Sequence, residues 1–159
     1  MSAAAFDRVR SGLGALAEGA IESHGVLVIN AEPGNVLPVV RGLKAAGFDM
    51  FLDVTAVDWL GQAPRFEVVW HFYSTTFKVR VRVKTRVTEA QPEVDTLVPL
   101  YGSAGYMERE CHEMYGIRFR GNNDLRPILL YEGFVGHPLR KDYAKEQEQP
   151  LVPYREGFR

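Results

Sequence analysis

A chain of 159 residues with 46% hydrophobic and 25% charged residues has the composition of one globular domain, long enough to bury about 70% of its unfolded surface unaided. A formal net charge of −1 gives no global attraction to nucleic acid or anionic lipid. A single cysteine, Cys111, fits a reducing compartment and excludes an internal disulfide and a self-contained iron–sulfur cluster, which takes about four thiolates, or two cysteines and two histidines.

The N-terminus lacks the basic start and unbroken apolar core of a secretory signal, and no apolar run approaches the ~18 residues of a membrane span. Membrane contact is therefore expected only through partners. Phe6, Val9, Leu13, Leu16, Ala17, Ala20 and Ile21 recur at helical spacing, predicting an amphipathic helix over 5–22 despite three glycines. Gly12-x-Gly14-x-x-Ala17 loosely matches a dinucleotide-binding turn, but no strand precedes it. Val26 to Ile29 reads as a buried strand, Glu32-Pro33-Gly34 opens a helix through Lys44, and Gly47 ends it. Residues 51–58 then alternate as a strand, with Leu52, Val54 and Ala56 on one side and Asp53 and Thr55 on the other.

Phe66, Val68, Trp70 and Phe72 alternate with Glu67, Val69, His71 and Tyr73, and Val79, Val81 and Val83 with basic residues, so the two runs form a hairpin with a large apolar face. Keeping the tryptophan off the basic face requires an even loop. Four residues, 74–77, suit it, because Thr75-Thr76 lacks the positive-φ residues of a tight turn. That register puts Tyr73 opposite Lys78, His71 opposite Arg80, Val69 opposite Arg82 and Glu67 opposite Lys84. Lys78, Arg80, Arg82, Lys84 and Arg86 line the second face. A nucleic-acid surface would interleave aromatics and carry net positive charge, so a solvated face that resists edge pairing is the plainer reading; an acidic partner is a third. Residues 89–100 are expected to hold a short helix starting near Pro92.

Ala104, Met107, Cys111 and Met114 then mark the core face of a helix stopped by Gly116. Glu110 borders that stripe, and a carboxylate there needs a basic partner. Arg109 and Glu113 are spaced as an i,i+4 pair and read as an ordinary solvated face. Gly121, Pro127, Gly133, Gly136 and Pro138 punctuate the following segment around Ile128-Leu129-Leu130, and long irregular segments are usually functional. His137-Pro138 reads as a fixed turn presenting Arg140 and Lys141. Residues 144–159 carry mixed charges, Pro150 and Pro153 without apolar periodicity, so they are expected to be extended or disordered until a neighbour orders them, with Tyr154 and Phe158 as anchors.

Two enzymatic or binding readings compete. His112-Glu113 is the front of a zinc-hydrolase helix motif, but Gly116 stands where its second histidine belongs. His24, His71 and His137 have no ligand spacing to it, and Cys111 on the apolar stripe reads as a small buried hydrophobe. A nucleic-acid module would use the basic strand face.

The run E-R-E-x-x-E-M-Y-G-I-R-F, then D-L-R-P-I-L, then G-F-x-G-H-P-L-R-K-D-Y, within residues 108–143, resembles the C subunit of the proton-translocating NADH-quinone oxidoreductase, respiratory complex I. A weaker likeness extends back through V-T-A-V-D, ending at Asp58, and R-F-E-V-V, starting at Arg65. Gly102 to Gly105 and Cys111-His112 depart from the usual filling. Equivalent subunits of membrane-bound hydrogenases and coenzyme F420 dehydrogenases share the motif.

The resemblance implies a peripheral-arm subunit with no catalytic, cofactor-binding or metal residue of its own, packed against the quinone-site D subunit and the cluster-bearing B and I subunits. FMN, iron–sulfur clusters and quinone would sit in those partners, on the cytoplasmic side of the bacterial inner membrane. The expected architecture is α+β: residues 1–115 as two layers, helices on one face of a mixed sheet, and residues 116–159 as an extended interface arm and tail. Glu108, Arg109 and Glu110 are expected to anchor the arm through Arg or Lys partners. Arg126, His137, Arg140, Lys141 and Asp142 are expected to contact neighbouring subunits.

Overall fold

A computed structural model describes residues 2–146; the tail positions Tyr154 and Phe158 lie outside them. The first helix, α1 (Ser2–Leu13), buries Phe6, Val9 and Leu13 on one stripe and is shorter than its periodicity predicts. Gly14 takes φ +52, which no right-handed helix accommodates, and the chain continues as a 3-10 turn, Gly14–Ala17. A strand that periodicity missed, β1 (Ile21–Ser23), folds back on β2 (Val26–Asn30) through His24 and Gly25, both at positive φ, as a two-residue hairpin requires. A short 3-10 turn, Pro33–Asn35, leads into α2 (Val36–Ala45), whose Val36, Val39, Val40 and Leu43 fall on one face and are all fully buried. Gly42 lets α1 approach, since a Cβ there would collide with the Leu13 side chain.

Three long strands follow, β3 (Met50–Asp58), β4 (Phe66–Ser74) and β5 (Val79–Val87), giving a mixed five-stranded sheet in the order β1-β2-β5-β4-β3. Only β2 and β5 run parallel within it. Phe66, Val68, Trp70 and Phe72 meet Val79, Val81 and Val83 on the inner face with α1 and α2, as the alternation requires. The parity of the β4–β5 hairpin matches expectation, but its register lies two residues away: Tyr73 faces Arg80, His71 faces Arg82, Val69 faces Lys84 and Glu67 faces Arg86. Ser74 pairs with Val79, so the loop does hold four residues, shifted to 75–78. Lys78 adopts φ +55, and its N–H returns to the Ser74 carbonyl at 2.8 Å.

In β3 a bulge between Phe51 and Asp53 breaks the simple alternation. Phe51, not Leu52, shares the buried side with Val54 and Ala56. The short helix expected over 89–100 is not present. Glu93–Asp95 instead forms β6, paired in parallel with β7 (Arg118–Arg120) across α3 (Ala104–Tyr115). Val94 and Phe119 enter the core from this pair, a stabilisation from distant chain that local pattern does not carry. α3 packs along β3, the edge strand. From Gly121 to Glu146 the chain is irregular, although Ile117 and Phe119 just before are fully or almost fully buried.

Candidate functional site

The arm, residues 121–146, is fastened to the body at two places. The first is the C-terminal end of α3, whose last carbonyls have no intrahelical donors. Gly116 leaves the helix at φ +75, and the segment His137 to Arg140 returns to cap those carbonyls. His137 Nδ1 lies 2.8 Å from the Glu113 carbonyl, the Leu139 N–H donates to Met114 at 3.1 Å, and Arg140 Nε donates to Tyr115 at 2.6 Å. The Arg140 cation also complements the negative helix end. A Cβ at Gly116 would collide with both Arg140 and His137, so glycine serves the backbone angle and the close approach together. Burial pushes the His137 pKa below its ordinary 6.5, outweighing the hydrogen bond to Glu113.

One turn earlier, the buried Glu113 carboxylate accepts three successive arm amides: Ile128 at 3.3 Å, Leu129 at 3.0 Å and Leu130 at 2.8 Å. Arg109 donates to the carbonyls of Arg126 and Pro127, each at 2.8 Å. Backbone on both sides of Pro127 is thus held by opposite charges on one helix. The apolar side chains of this stretch turn outward: Leu129 is 62% exposed, Val135 66% and Leu139 52%.

The second fastening is a charge cluster built on the buried Arg65–Asp58 pair at the end of the sheet. Arg65, only 4% exposed, forms a fork to Asp58 at 2.8 and 2.7 Å and reaches Glu89 at 2.5 Å and Asp142 at 2.8–2.9 Å. The Lys141 amide donates to the same Asp58 carboxylate at 2.8 Å. The Phe66 ring carries the Arg65 and Arg140 guanidiniums at 4.9 and 5.0 Å. Hydrogen bonds from Arg65 hold the Asp58 and Asp142 carboxyls below the ordinary carboxylate range.

Among the residues expected to anchor the arm, Glu108 and Arg109 do so, but not through basic partners. Glu108 is wholly buried; it accepts Thr96 Oγ1 at 2.6 Å, the Leu97 amide at 2.7 Å and Asn122 Nδ2 at 2.9 Å. Burial raises its pKa against those three bonds. Glu110 is exposed, and its carboxylate makes no hydrogen bond to a described residue. The correction is geometric: position 108 lies four residues after Ala104 and three before Cys111, at the centre of the stripe, whereas 110 lies on the opposite side. Glu113, expected on a solvated face with Arg109, is the carboxylate that gathers the arm. Arg126 is exposed and pairs with Asp124 at 2.8 Å, while Arg140 and Asp142 turn back to the body. Thr96 and Asn122 carried no sequence signal; Asp58 and Arg65 did, as the V-T-A-V-D and R-F-E-V-V stretches.

His112 is 2.9 Å by Nδ1 from the Ile117 carbonyl, and both Glu113 oxygens are taken by amides, which removes the hydrolase reading of that pair. Among the described residues no cluster of three or more His, Cys, Asp or Glu is placed to hold a metal. Burial pushes the Cys111 thiol well up, so the thiol is inert at neutral pH.

Residues 29–149 match the family of the respiratory-chain NADH dehydrogenase, 30 Kd subunit. The chain belongs to this family. The C subunit of the NADH-quinone oxidoreductase of Citrifermentans bemidjiense is 43% identical over 135 residues, covering 84% of this chain and 83% of that protein. The C 2 subunit of the Rhizobium meliloti NADH-quinone oxidoreductase is 41% identical over 145 residues, covering 87% and 76%. A solved trypsin-resistant fragment of Nqo5 superposes with a TM-score of 0.67 at 28% identity, covering 76% of this chain and 99% of the fragment. A chain of an archaeal membrane-bound sulfane sulfur reductase shares the fold, with a TM-score of 0.78 at 23% identity over 89% of this chain and 84% of that one. As a member of the 30 Kd subunit family, the protein is a peripheral-arm subunit of NADH-quinone oxidoreductase. No helix among the described residues is long and apolar enough to cross a membrane.

Proposed function

We propose that this subunit is a non-catalytic wedge whose arm fixes the quinone-site D subunit relative to the cluster-bearing B and I subunits. One observation carries the reading. The arm is held by its backbone and its charged side chains, while Leu129, Val135 and Leu139 point away from the body. Apolar side chains held outward by a polar framework suit burial against another protein. Arg126 and the side chain of Lys141, both exposed, supply a polar rim, and His137, Arg140 and Asp142 contribute chiefly by shaping the arm.

FMN, iron–sulfur clusters and quinone are carried by partners in this reading, which the lone cysteine supports. The chain meets the membrane only through the complex, on the cytoplasmic side of the bacterial inner membrane. Its contribution to electron transfer from NADH to quinone, and to the coupled proton translocation, is to set the positions of groups held by neighbours.

An affinity pull-down of the tagged chain from gently solubilised membranes tests this. Recovery of the B, D and I subunits with NADH-quinone activity is expected. Recovery of the chain alone, while an active complex remains in the membranes, would count against it.

A further inference from the structure

The sheet has a second face, opposite the one that α1 and α2 cover, and its chemistry is separate from the arm. Strand register brings Ile21, Val28, Arg82, His71 and Asp53 into one row across it, with Val26, Arg80, Tyr73 and Met50 in the next. Two of the strand β5 cations are answered internally. Lys84 donates to Glu67 at 2.7 Å, and Arg86 bonds the Pro64 carbonyl and lies 5.6 Å over the Trp59 ring.

Arg80 and Arg82 have no acceptor among the described residues. The Arg82 Nε is shielded from water and still lacks a hydrogen-bond partner, an arrangement that costs stability until an acceptor arrives. Burial, and after it the field of Arg82, pushes the neighbouring His71 below its ordinary pKa, so the ring adjoining them is neutral at pH 7. Around this pair the face is apolar: Ile21 and Met50 are exposed, and Val28 and Val69 form the floor.

We propose that this face docks a carboxylate-rich segment of a neighbouring subunit of the complex, with Arg80 and Arg82 as its anchors. A flexible phosphate surface, whether lipid or nucleic acid, favours an unbroken field of cations. Here Asp53 and Glu67 stand among the cations and apolar side chains flank them, a pattern that matches one shaped partner and repels others. Residues 147–159 of the chain itself lack that chemistry, since Glu148 and Glu156 are balanced by Arg155 and Arg159. The proposal rests on membership of a multisubunit complex and not on the arm, so either reading can fail alone.

The test uses the full chain expressed in place of the native subunit. Since the side chains of Arg80 and Arg82 make no hydrogen bonds to described residues, Arg80→Glu with Arg82→Glu should not lower the melting temperature of the purified subunit. Recovery of that variant in the membrane complex should fall at least tenfold, and Arg80→Lys with Arg82→Lys should restore it. Carbodiimide treatment of the complex bearing the lysine pair should couple the new amines to Asp or Glu of another subunit. The proposal is overturned if the reversed variant assembles at the native level, or if coupling occurs only within this chain. It is equally overturned if no coupling appears and reversal instead abolishes binding to phosphatidylglycerol vesicles.

Discussion

In the body, Phe6, Trp70, Phe72 and Leu43 vanish from solvent into one continuous apolar core. In the arm the arrangement is inverted: carboxylates and guanidiniums grip the backbone, and Leu129, Val135 and Leu139 are left outside. The body therefore has its own driving force for folding, about 25 cal/mol for each Å² of apolar surface removed from water. The arm has little of that driving force and depends on a few directional contacts. Ordering the arm before a partner arrives lowers the entropy lost on association, which is a reason to spend buried charge on a segment with almost no core.

The contrast breaks most severely at Arg65, where body and arm share one guanidinium. Asp58→Ala leaves that buried cation without its forked partner and should cost about 3–5 kcal/mol in urea unfolding, releasing the 139–142 segment as well. The pH dependence has a definite sign. Asp58 and Asp142 are depressed below 3.8 in the folded chain, so the stability they add is fully present above that value and is lost as pH falls through their folded pKa values.

Glu113→Ala should separate the two regions more selectively. The three amides at 128–130 lose their acceptor, and hydrogen exchange across 121–146 should accelerate by one to two orders of magnitude, corresponding to about 1–3 kcal/mol locally. Exchange of the β4–β5 ladder should be unchanged. Gly116→Ala strains a residue at φ +75 and drives a methyl into His137 and Arg140, costing about 1 kcal/mol or more. An NMR titration should place His137 below 6.5 in the intact chain and return it toward 6.5 in this variant. The sign follows from the depressed pKa: the cap is most stable above pH 6.5 and loosens as pH falls through the folded value. At the bottom of the scale, Arg126→Ala removes an exposed pair with Asp124 and should leave the melting temperature unchanged.

Periodicity was a sound guide wherever one face of an element is buried against a continuous core. It placed α2, β2, β4 and β5, and the period of two settled which hairpin face is apolar. It did not settle the pairing within that parity, because Lys78 supplies the left-handed turn residue, a role that nothing in a lysine announces. The bulge at Phe51 and the β6–β7 pair were invisible for a related reason: each is fixed by distant chain. At the site, the resemblance pointed to the right segments, while helical spacing scored only apolar residues and so passed over Glu108, a carboxylate at the stripe's centre.

The most direct measurement concerns the outward side chains. Leu129→Asp with Leu139→Asp, introduced into the chromosomal copy, should give a subunit that melts at the native temperature when purified yet is missing from the complex recovered from gently solubilised membranes, with NADH-quinone activity lost in proportion. A folded double variant recovered in a fully active complex would contradict the assignment of the arm as the surface on which its neighbours are set.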